Sequence, residues 1–226
     1  MRIDTHTHSY YSDDGCSSPE KLIKRAVQRK LDGIAITDHD TIVGWKEAEK
    51  IAKKYKIFLI KGEEIKSSID GRFFGDILGL FIKKEIKNRH PKKVIKEIKD
   101  QGGIAVIPHP FHLYFPYNFR GNINDFGNLI DGVEVLNARI PSKKADKKAL
   151  FFAKKNNIAM FGASDAHHFK NVGDAYTMAE EAKNLDDFKK AIFERKIKAG
   201  GQKSFFASTI VPGFAKFKII GRPPKT

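Results

Sequence analysis

Cysteine is almost absent from this 226-residue sequence, which contains only Cys16. A single cysteine forms no intramolecular disulfide, so a reducing, cytoplasmic location is predicted. Long hydrophobic runs are also absent, since the longest, residues 77–82, is far shorter than the roughly 20 residues that span a bilayer. The composition therefore argues against disulfide-stapled and membrane-spanning classes of protein.

Acidic residues are in the minority, with 27 Asp and Glu against 42 Lys and Arg and a net charge of +15. This excess fits two alternatives, which are solubility in a lysine-rich protein and an anionic partner such as nucleic acid or a phosphorylated substrate. Basic residues concentrate in residues 83–99 and 204–226, which are candidate patches for nucleic acid. No membrane partner is expected.

Short apolar runs alternate with segments of helical periodicity along the chain. This alternation indicates a (β/α) barrel or an open doubly wound sheet. We predict one domain over residues 1–200 and a basic extension over residues 201–226. The predicted strands are residues 2–5, 33–37, 57–61, 76–81, 104–107, 132–136 and 158–162, and the predicted helices are residues 19–31, 43–55, 91–101, 141–156 and 185–197.

Histidines and carboxylates recur at or just after the predicted strands. His6 and His8 have side chains on one face, because residues i and i+2 of a strand point the same way, and Asp165 and His167 repeat this spacing. Active sites of (β/α) barrels form at the C-terminal strand ends. Further residues of this kind are Asp13, Asp14, His39, Glu63, Glu64, Asp76, His109 and Glu134.

Each of these motifs alone also fits an ordinary structural role. A strand-end histidine pair is often held by internal hydrogen bonds, and a single glutamate is more often solvated or ion-paired than bound to metal. Their joint occurrence on several strands changes this balance. Imidazole and carboxylate ligands without thiolates favour a multinuclear hydrolytic site over a structural zinc site.

Six motifs in this order resemble the PHP (polymerase and histidinol phosphatase) family, over residues 1–198. The resemblance implies a distorted (β/α)7 TIM-like barrel, a cleft with two or three divalent metal ions (Mn, Zn or Fe) and phosphoesterase activity. The motifs are His6-Thr7-His8, Ser12-Asp13-Asp14-Gly15, Thr37-Asp38-His39-Asp40, Gly62-Glu63-Glu64-Ile65, Pro108-His109-Pro110 and Ser164-Asp165-Ala166-His167.

The resemblance also implies how the metal ligands are divided. The first metal would be held by His6, His8 and Asp165, with Glu64 shared with the second. The second would take His109, and Asp76 stands where many relatives have a histidine, which favours harder ions such as Mn or Mg. The third would take His39, His167 and either Asp13 or Asp14, of which we choose Asp14.

Catalytic and substrate-binding roles are predicted around these ligands. Asp165 would orient or deprotonate the attacking water, and Asp40 or His168 would protonate the leaving oxygen. The guanidinium of Arg139 matches phosphate oxygens and is the leading phosphate clamp. Asn137 and His112 are further candidates for substrate contact.

The predicted reaction is hydrolysis of phosphate monoesters by a metal-bound hydroxide. Nucleotides, nucleoside bisphosphates or oligonucleotide ends are the preferred substrates, given the positive charge. Three alternatives stay open, which are a histidinol-phosphate phosphatase, a non-catalytic nucleic-acid-binding module and an amidohydrolase-type enzyme that cleaves C–N bonds. Phosphate release, nucleic-acid binding without turnover and ammonia release distinguish them.

Overall fold

The computed structural model describes residues 1–111 and 119–204, and these residues form nine strands and five α-helices. The strands are β1 (Arg2–Asp4), β2 (Gly33–Ile36), β3 (Phe58–Ile69), β4 (Arg72–Leu80), β5 (Ile104–Ile107), β6 (Gly132–Asn137), β7 (Ala159–Ala163), β8 (Ala175–Met178) and β9 (Lys198–Gly201). The helices are α1 (Pro19–Gln28), α2 (Trp45–Tyr55), α3 (Pro91–Asp100), α4 (Lys143–Asn156) and α5 (Leu185–Phe193). Short 3₁₀ turns cover Ile123–Phe126 and Phe169–Asn171.

All strands belong to one sheet, in the order β7-β6-β5-β4-β3-β2-β1-β8-β9. The strands β1 to β3 are mutually parallel, as are β5 to β7. Beyond the ends of β1 and β7, Thr7 and Ala166 form a parallel bridge, and the His8 N–H donates to the Ala166 carbonyl oxygen at 2.9 Å. The seven strands therefore close on themselves at this end, which confirms the distorted (β/α)7 barrel.

Strand β4 departs from the parallel arrangement, because it pairs antiparallel with both β3 and β5. A tight turn at Asp70 and Gly71, both with positive φ, joins β3 to β4 without a helix between them. The predicted third strand was too short, since β3 continues to Ile69. Glu64 therefore lies within a strand rather than at its end.

Strands β8 and β9 were not predicted, and their sequences explain why. They are four residues each, Ala-Tyr-Thr-Met and Lys-Ala-Gly-Gly, and neither has the continuous apolar run of a buried parallel strand. They form an antiparallel pair, and β8 also pairs antiparallel with β1.

The predicted helices are all present, with small differences at their ends. Helix α1 begins at Pro19 after Ser18, whose side chain accepts a hydrogen bond from the Lys21 N–H, and it buries Leu22 and Ile23 against the sheet. Helix α4 is capped in the same way by Ser142.

Two apolar clusters fill the fold. One lies between the sheet and the helices, and it includes Leu22 of α1 and Ile98 of α3. The other takes alternate residues of the strands, such as Ile3 and Ile60, and adds Phe161 and Phe188. This second cluster fills the barrel interior towards the N-terminal strand ends, which leaves the opposite end to polar side chains.

No helix within the described ranges is long and apolar enough to cross a membrane. The predicted basic extension falls almost wholly in residues 205–226, outside the described residues, so the predicted domain boundary stays a prediction.

Candidate metal centre

The nine predicted metal ligands come together at the C-terminal end of the barrel. Glu64 and Asp76 lie within β3 and β4, and the other seven lie in the loops that follow β1, β2, β5 and β7. Each ligand is connected to at least one other by a close contact or a shared interaction. The residues are His6, His8, Asp14, His39, Glu64, Asp76, His109, Asp165 and His167.

Glu64 lies at the centre of one half of this cluster. Its Oε2 is 3.2 Å from the Nε2 atoms of both His6 and His8, and 3.2 Å from Nδ1 of His39. Its Oε1 is 3.4 Å from Nε2 of His109. One carboxylate thus faces four imidazoles from three parts of the chain, the arrangement needed to bridge two cations.

The other half contains Asp14, Asp165 and His167. His167 Nε2 is 3.1 Å from Asp14 Oδ2, and its Nδ1 is 3.3 Å from Asp165 Oδ1. Asp165 Oδ1 also lies 3.6 Å from Nε2 of His8. Asp14 is buried in the cluster, whereas Asp13 is exposed, so only the former lies where a ligand is needed.

The candidate ligands form three sets, and within each set the ligand atoms lie within 4.8 Å of one another, as required for a shared metal ion. The sets overlap through His8, His39 and Glu64. They are His6, His8 and Glu64; His39, Glu64 and Asp76; and His8, Asp14, His39 and His167.

A carboxylate outside these sets orients two of the ligands. Glu134 Oε1 lies 2.8 Å from Nδ1 of His6, and its Oε2 accepts the backbone N–H of His109 at 3.1 Å and the side-chain amide of Asn137 at 2.8 Å. Because Glu134 accepts a hydrogen bond from Nδ1–H of His6, the other ring nitrogen, Nε2, faces the cluster. Its place on the sixth strand marked Glu134 as ligand-type in the sequence, but this orienting role was missed.

Ser12 orients the ligands on the opposite side. Its Oγ is 3.1 Å from Nδ1 of His8 and accepts the backbone N–H of His39 at 2.8 Å. A Cβ atom at Gly15 would lie 1.8 Å from the backbone oxygen of Ser9, so the loop that carries Asp14 needs glycine there.

Burial and neighbouring charge shift the pKa values in opposite directions. Burial lowers the pKa of His6, but the carboxylates of Glu64, Glu134 and Asp165 outweigh it and hold that pKa well above its ordinary value. Burial, together with the neighbouring His167, lowers the pKa of His8. Burial and the charge of Glu64 raise the pKa of Asp76.

The cluster leaves buried polar atoms without hydrogen bonds, which is how a cation site differs from a satisfied polar core. Among the described residues, four atoms in the cluster form no hydrogen bond of good geometry, although three of them lie within 4 Å of an oppositely charged group: Asp14 Oδ1, His39 Nδ1, Glu64 Oε1 and Asp76 Oδ1, the last without such a contact. Two imidazole nitrogens, Nε2 of His6 and of His8, also face each other at 2.9 Å. A divalent ion satisfies such atoms, so the residues fit the implied metals.

Backbone strain marks the same region. His109 and Asp165 have φ of 33° and 52°, in the left-handed region that costs energy for residues other than glycine. Both are candidate ligands that follow a barrel strand, and the unusual backbone turns their side chains towards the cleft.

Of the predicted substrate residues, Arg139 and Asn137 reach the cluster. Arg139 Nη1 is 3.2 Å from His167 Nε2 and 3.6 Å from Asp165 Oδ1, with the side chain still 31% exposed. Asn137 donates from its amide to Glu134 and to Asp165, and its Oδ1 accepts the Arg139 N–H at 3.1 Å. Arg139 thus presents a cation to solvent at the cleft edge.

Two predicted proton donors contact residues outside the ligand cluster. Asp40 Oδ1 accepts the Lys66 N–H at 3.1 Å and lies 3.5 Å from Arg89. His168 accepts the Lys170 N–H, and its ring is tilted by 42° against that of Phe169, with centroids 4.5 Å apart. Their catalytic roles stay predictions, and His112 lies outside the described residues.

Comparison with known proteins agrees with this geometry. The family model for the PHP domain matches residues 4–199. An uncharacterized protein of Methanocaldococcus jannaschii is 35% identical over 149 residues, which is 61% of this chain and 82% of the relative. A 5'-3' exoribonuclease of Haemophilus influenzae is 43% identical over 91 residues, which is 40% of this chain and 31% of the relative.

A solved structure has the same fold. It is a two-domain protein of Bacteroides vulgatus containing a predicted PHP-like metal-dependent phosphoesterase, with a TM-score of 0.75 and 22% identity. The match covers 89% of this chain and 65% of that chain.

Proposed function

Because this chain belongs to the PHP domain family, we propose that it is a metal-dependent phosphoesterase that hydrolyses phosphate monoesters. The observation that carries this proposal is the buried cluster of nine ligand residues in which four polar atoms lack hydrogen-bond partners among the described residues. Buried polar atoms that form no hydrogen bond destabilise a fold, and their concentration in one cluster is typical of a site that binds an ion.

We propose the division between two or three divalent ions that the family resemblance implies. His6, His8 and Asp165 would hold the first, Glu64 would bridge to a second that His109 also holds, and Asp14 with His39 and His167 would hold the third. The contacts of Asp165 with His8 and of His167 with Asp14 support this division, whereas the set of His39, Glu64 and Asp76 also brings His39 within reach of the second ion. Bound divalent metals supply Lewis acidity and a water of lowered pKa. The carboxylate of Asp76 adds a hard oxygen ligand near Glu64, which favours Mn over Zn or Fe.

The chain's own groups then bind and orient the phosphate and the water. Asp165 faces Arg139 and His6, so burial, which by itself raises its pKa, is outweighed and the carboxyl stays ionised at neutral pH. An ionised carboxylate here accepts a hydrogen bond from a water and its proton as the water attacks. Arg139 donates to the phosphate oxygens from the open side.

Nucleotides, nucleoside bisphosphates and oligonucleotide ends are the substrates that we propose. The 5'-3' exoribonuclease relative supports this class, as does the positive charge of the chain. Histidinol phosphate stays the alternative substrate. Steady hydrolysis of histidinol phosphate with no action on nucleotides would reverse the choice.

A phosphate-release screen tests the reaction. The chain is loaded with Mn, Zn or Fe and offered mononucleotides, a nucleoside 3',5'-bisphosphate, 5'-phosphorylated oligonucleotides and histidinol phosphate. Ammonia release from nucleobases is followed in parallel as the sign of C–N cleavage. Absence of phosphate release with every metal would favour the non-catalytic reading.

Asp165→Asn is the matching variant, because it keeps the size of the side chain and removes the charge. We expect phosphate release to fall by about 10³-fold or more, as for loss of an essential base and ligand. Circular dichroism and the unfolding midpoint in EDTA serve as controls for the fold. A variant that retains wild-type turnover would contradict the scheme.

A further inference from the structure

A groove runs along helix α4 beside the metal centre. It encloses about 440 Å³ between α4 and a wall formed by Phe111 and Ile123. Phe111 follows His109 by two residues and packs edge-on against Phe152, with ring centroids 6.2 Å apart. His109 and Phe111 also line one small cavity with Ala149 of α4, so this helix and the wall of the groove lie beside a candidate metal ligand.

The exposed side of α4 carries an unusual density of unpaired positive charge. The helix contains six lysines, and within the described ranges none of them forms an ion pair. Its one acidic residue, Asp146, pairs instead with Lys203. Some lysines of other helices have acidic partners four residues away, as in Lys24 with Glu20 and Lys96 with Asp100, whereas the lysines of α2 form no ion pair within the described residues. Lysines without such partners remain available to an anion.

An aromatic ring lies among these charges. Phe151 is 71% exposed and lines the groove. The spacing of Lys144, Lys148, Phe151 and Lys155 places them on one helix face, over a length of about 16 Å. An exposed ring flanked by lysines is the combination that binds single-stranded nucleic acid, because bases stack on the ring and phosphates contact the ammonium groups.

We infer that this face of α4, together with Phe111, binds single-stranded nucleic acid whose terminal phosphate enters the metal centre. The inference rests on the proposed function for the identity of the bound strand as substrate. A paired duplex has no free base face to offer Phe151, so a single strand is the preferred ligand. An acidic peptide or an anionic membrane could pair with the lysines, but neither has a base that stacks on the ring of Phe151.

Binding is measured directly, without turnover. The full chain in EDTA is titrated into a fluorescent single-stranded oligonucleotide, as RNA and as DNA, and anisotropy gives Kd over a range of salt concentrations. Phe151→Ala is expected to weaken binding about tenfold, and Lys144→Gln/Lys148→Gln/Lys155→Gln to weaken it more and to flatten its salt dependence. A duplex, a polyglutamate peptide and anionic vesicles are the competing probes.

Matched variants control for charge and exposed apolar area. Lys50→Gln/Lys53→Gln/Lys54→Gln removes three exposed charges from α2, and Phe193→Ala removes an exposed ring from α5. We expect both to leave Kd within twofold of the unaltered chain. Equal losses in the control variants, or a polyglutamate peptide that binds as tightly as the oligonucleotide, would overturn the inference.

Kinetics separate this inference from the proposed function. In the metal-loaded chain, the α4 variants should raise KM for a phosphorylated oligonucleotide and leave kcat/KM for a mononucleotide unchanged. If mononucleotide turnover persists and oligonucleotide KM does not respond, the α4 inference fails and the proposed function stands. If no phosphoester is hydrolysed but binding still depends on Phe151, the proposed function fails and the surface stands.

Discussion

Glu134 orients two candidate metal ligands without being one of them. It holds His6 through Nδ1 and fixes the backbone of His109, so it sets both the ring orientation and the basicity of a ligand. Glu134→Gln keeps the size of the side chain but replaces an anionic acceptor by a neutral amide. We expect metal affinity to fall by about 10- to 100-fold, measured by titration of the metal-free chain with Mn.

Glu63 is the matched control for that variant, because it is also buried but accepts the backbone N–H of Ile86 at 2.9 Å rather than a histidine. Glu63→Gln should leave the Mn affinity within about threefold, a change that is small beside the expected 10- to 100-fold loss. Equal affinity losses in the two variants would assign the effect to buried charge in general and not to the orientation of His6.

Glu63 has its own pH dependence. Burial raises its pKa from 4.5 to about 7, so the folded chain keeps this proton at pH values where the unfolded chain has released it. The free energy of unfolding therefore falls as pH rises from 4.5 to 7, and the loss persists above that range. Glu63→Gln should recover about 3 kcal/mol at pH 8 and little at pH 4, measured by urea unfolding in EDTA. A gain of the same size at both pH values would contradict the assignment.

At the scale of elements, the loop after β1 depends on close packing of Gly15 against the backbone of Ser9. Asp14 precedes this glycine, so Gly15→Ala should displace the Asp14 carboxylate. We expect the metal content after dialysis to fall by one ion per chain, measured by elemental analysis. Gly127→Ala is the control, since its Cβ would come closest to the side chain of Asn156, at 3.0 Å, and would be in ordinary contact with the backbone oxygen of Asn124, at 3.7 Å. Unchanged metal content in Gly15→Ala would show that Asp14 is not a ligand.

Sequence patterns predicted the elements that obey simple periodicity. Apolar runs such as Ile104–Ile107 and capped helices such as Pro19–Gln28 follow from local rules. Strands β8 and β9 do not, because each is four residues long and pairs with β1 or with the other strand, and of their side chains only Ala175 and Thr177 are buried. The reversed direction of β4 depends on a two-residue turn at Asp70 and Gly71 that periodicity does not reveal.

The residues of the candidate site could be predicted together because histidines and carboxylates recur at strand ends, and the family resemblance indicated which metal each would bind. The contacts that were not predicted are those between residues far apart in the sequence. The role of Glu134 requires three residues from different elements to meet, and Asp40 lies in a promising motif but contacts Arg89 and the Lys66 backbone. The unpaired lysines of α4 required knowledge of which carboxylates lie within reach.

At the scale of the whole molecule, the net charge of +15 is unevenly distributed. The metal centre combines four carboxylates with five histidines, and no lysine is among its candidate ligands. The lysine excess lies on the surface, and on α4 it is unpaired within the described residues. Under the proposed function, the lysine charge therefore bears on which phosphate ester reaches the cleft and not on how it is hydrolysed.

Metal binding should also be visible in global stability. Because the ions bind only the folded cluster, Mn at about 100 times its Kd should add about 2.7 kcal/mol to the free energy of unfolding. The measurement is the thermal unfolding midpoint with Mn against EDTA, and Glu134→Gln should show a smaller difference at the same Mn concentration. An identical midpoint in Mn and EDTA would contradict a metal site in the folded core.

The position of Glu64 has an evolutionary consequence. One carboxylate faces His6, His8, His39 and His109, so its loss alone removes an acceptor that all four imidazoles share, while Glu134, Asp165 and Asp14 still face three of them. Descendants that abandon metal binding should then lose the glutamate and its histidines together, because intermediates with a partial set keep buried polar groups without their partners. Inactive branches of such a lineage should differ from active ones by a block of coordinated replacements and not by gradual, independent drift.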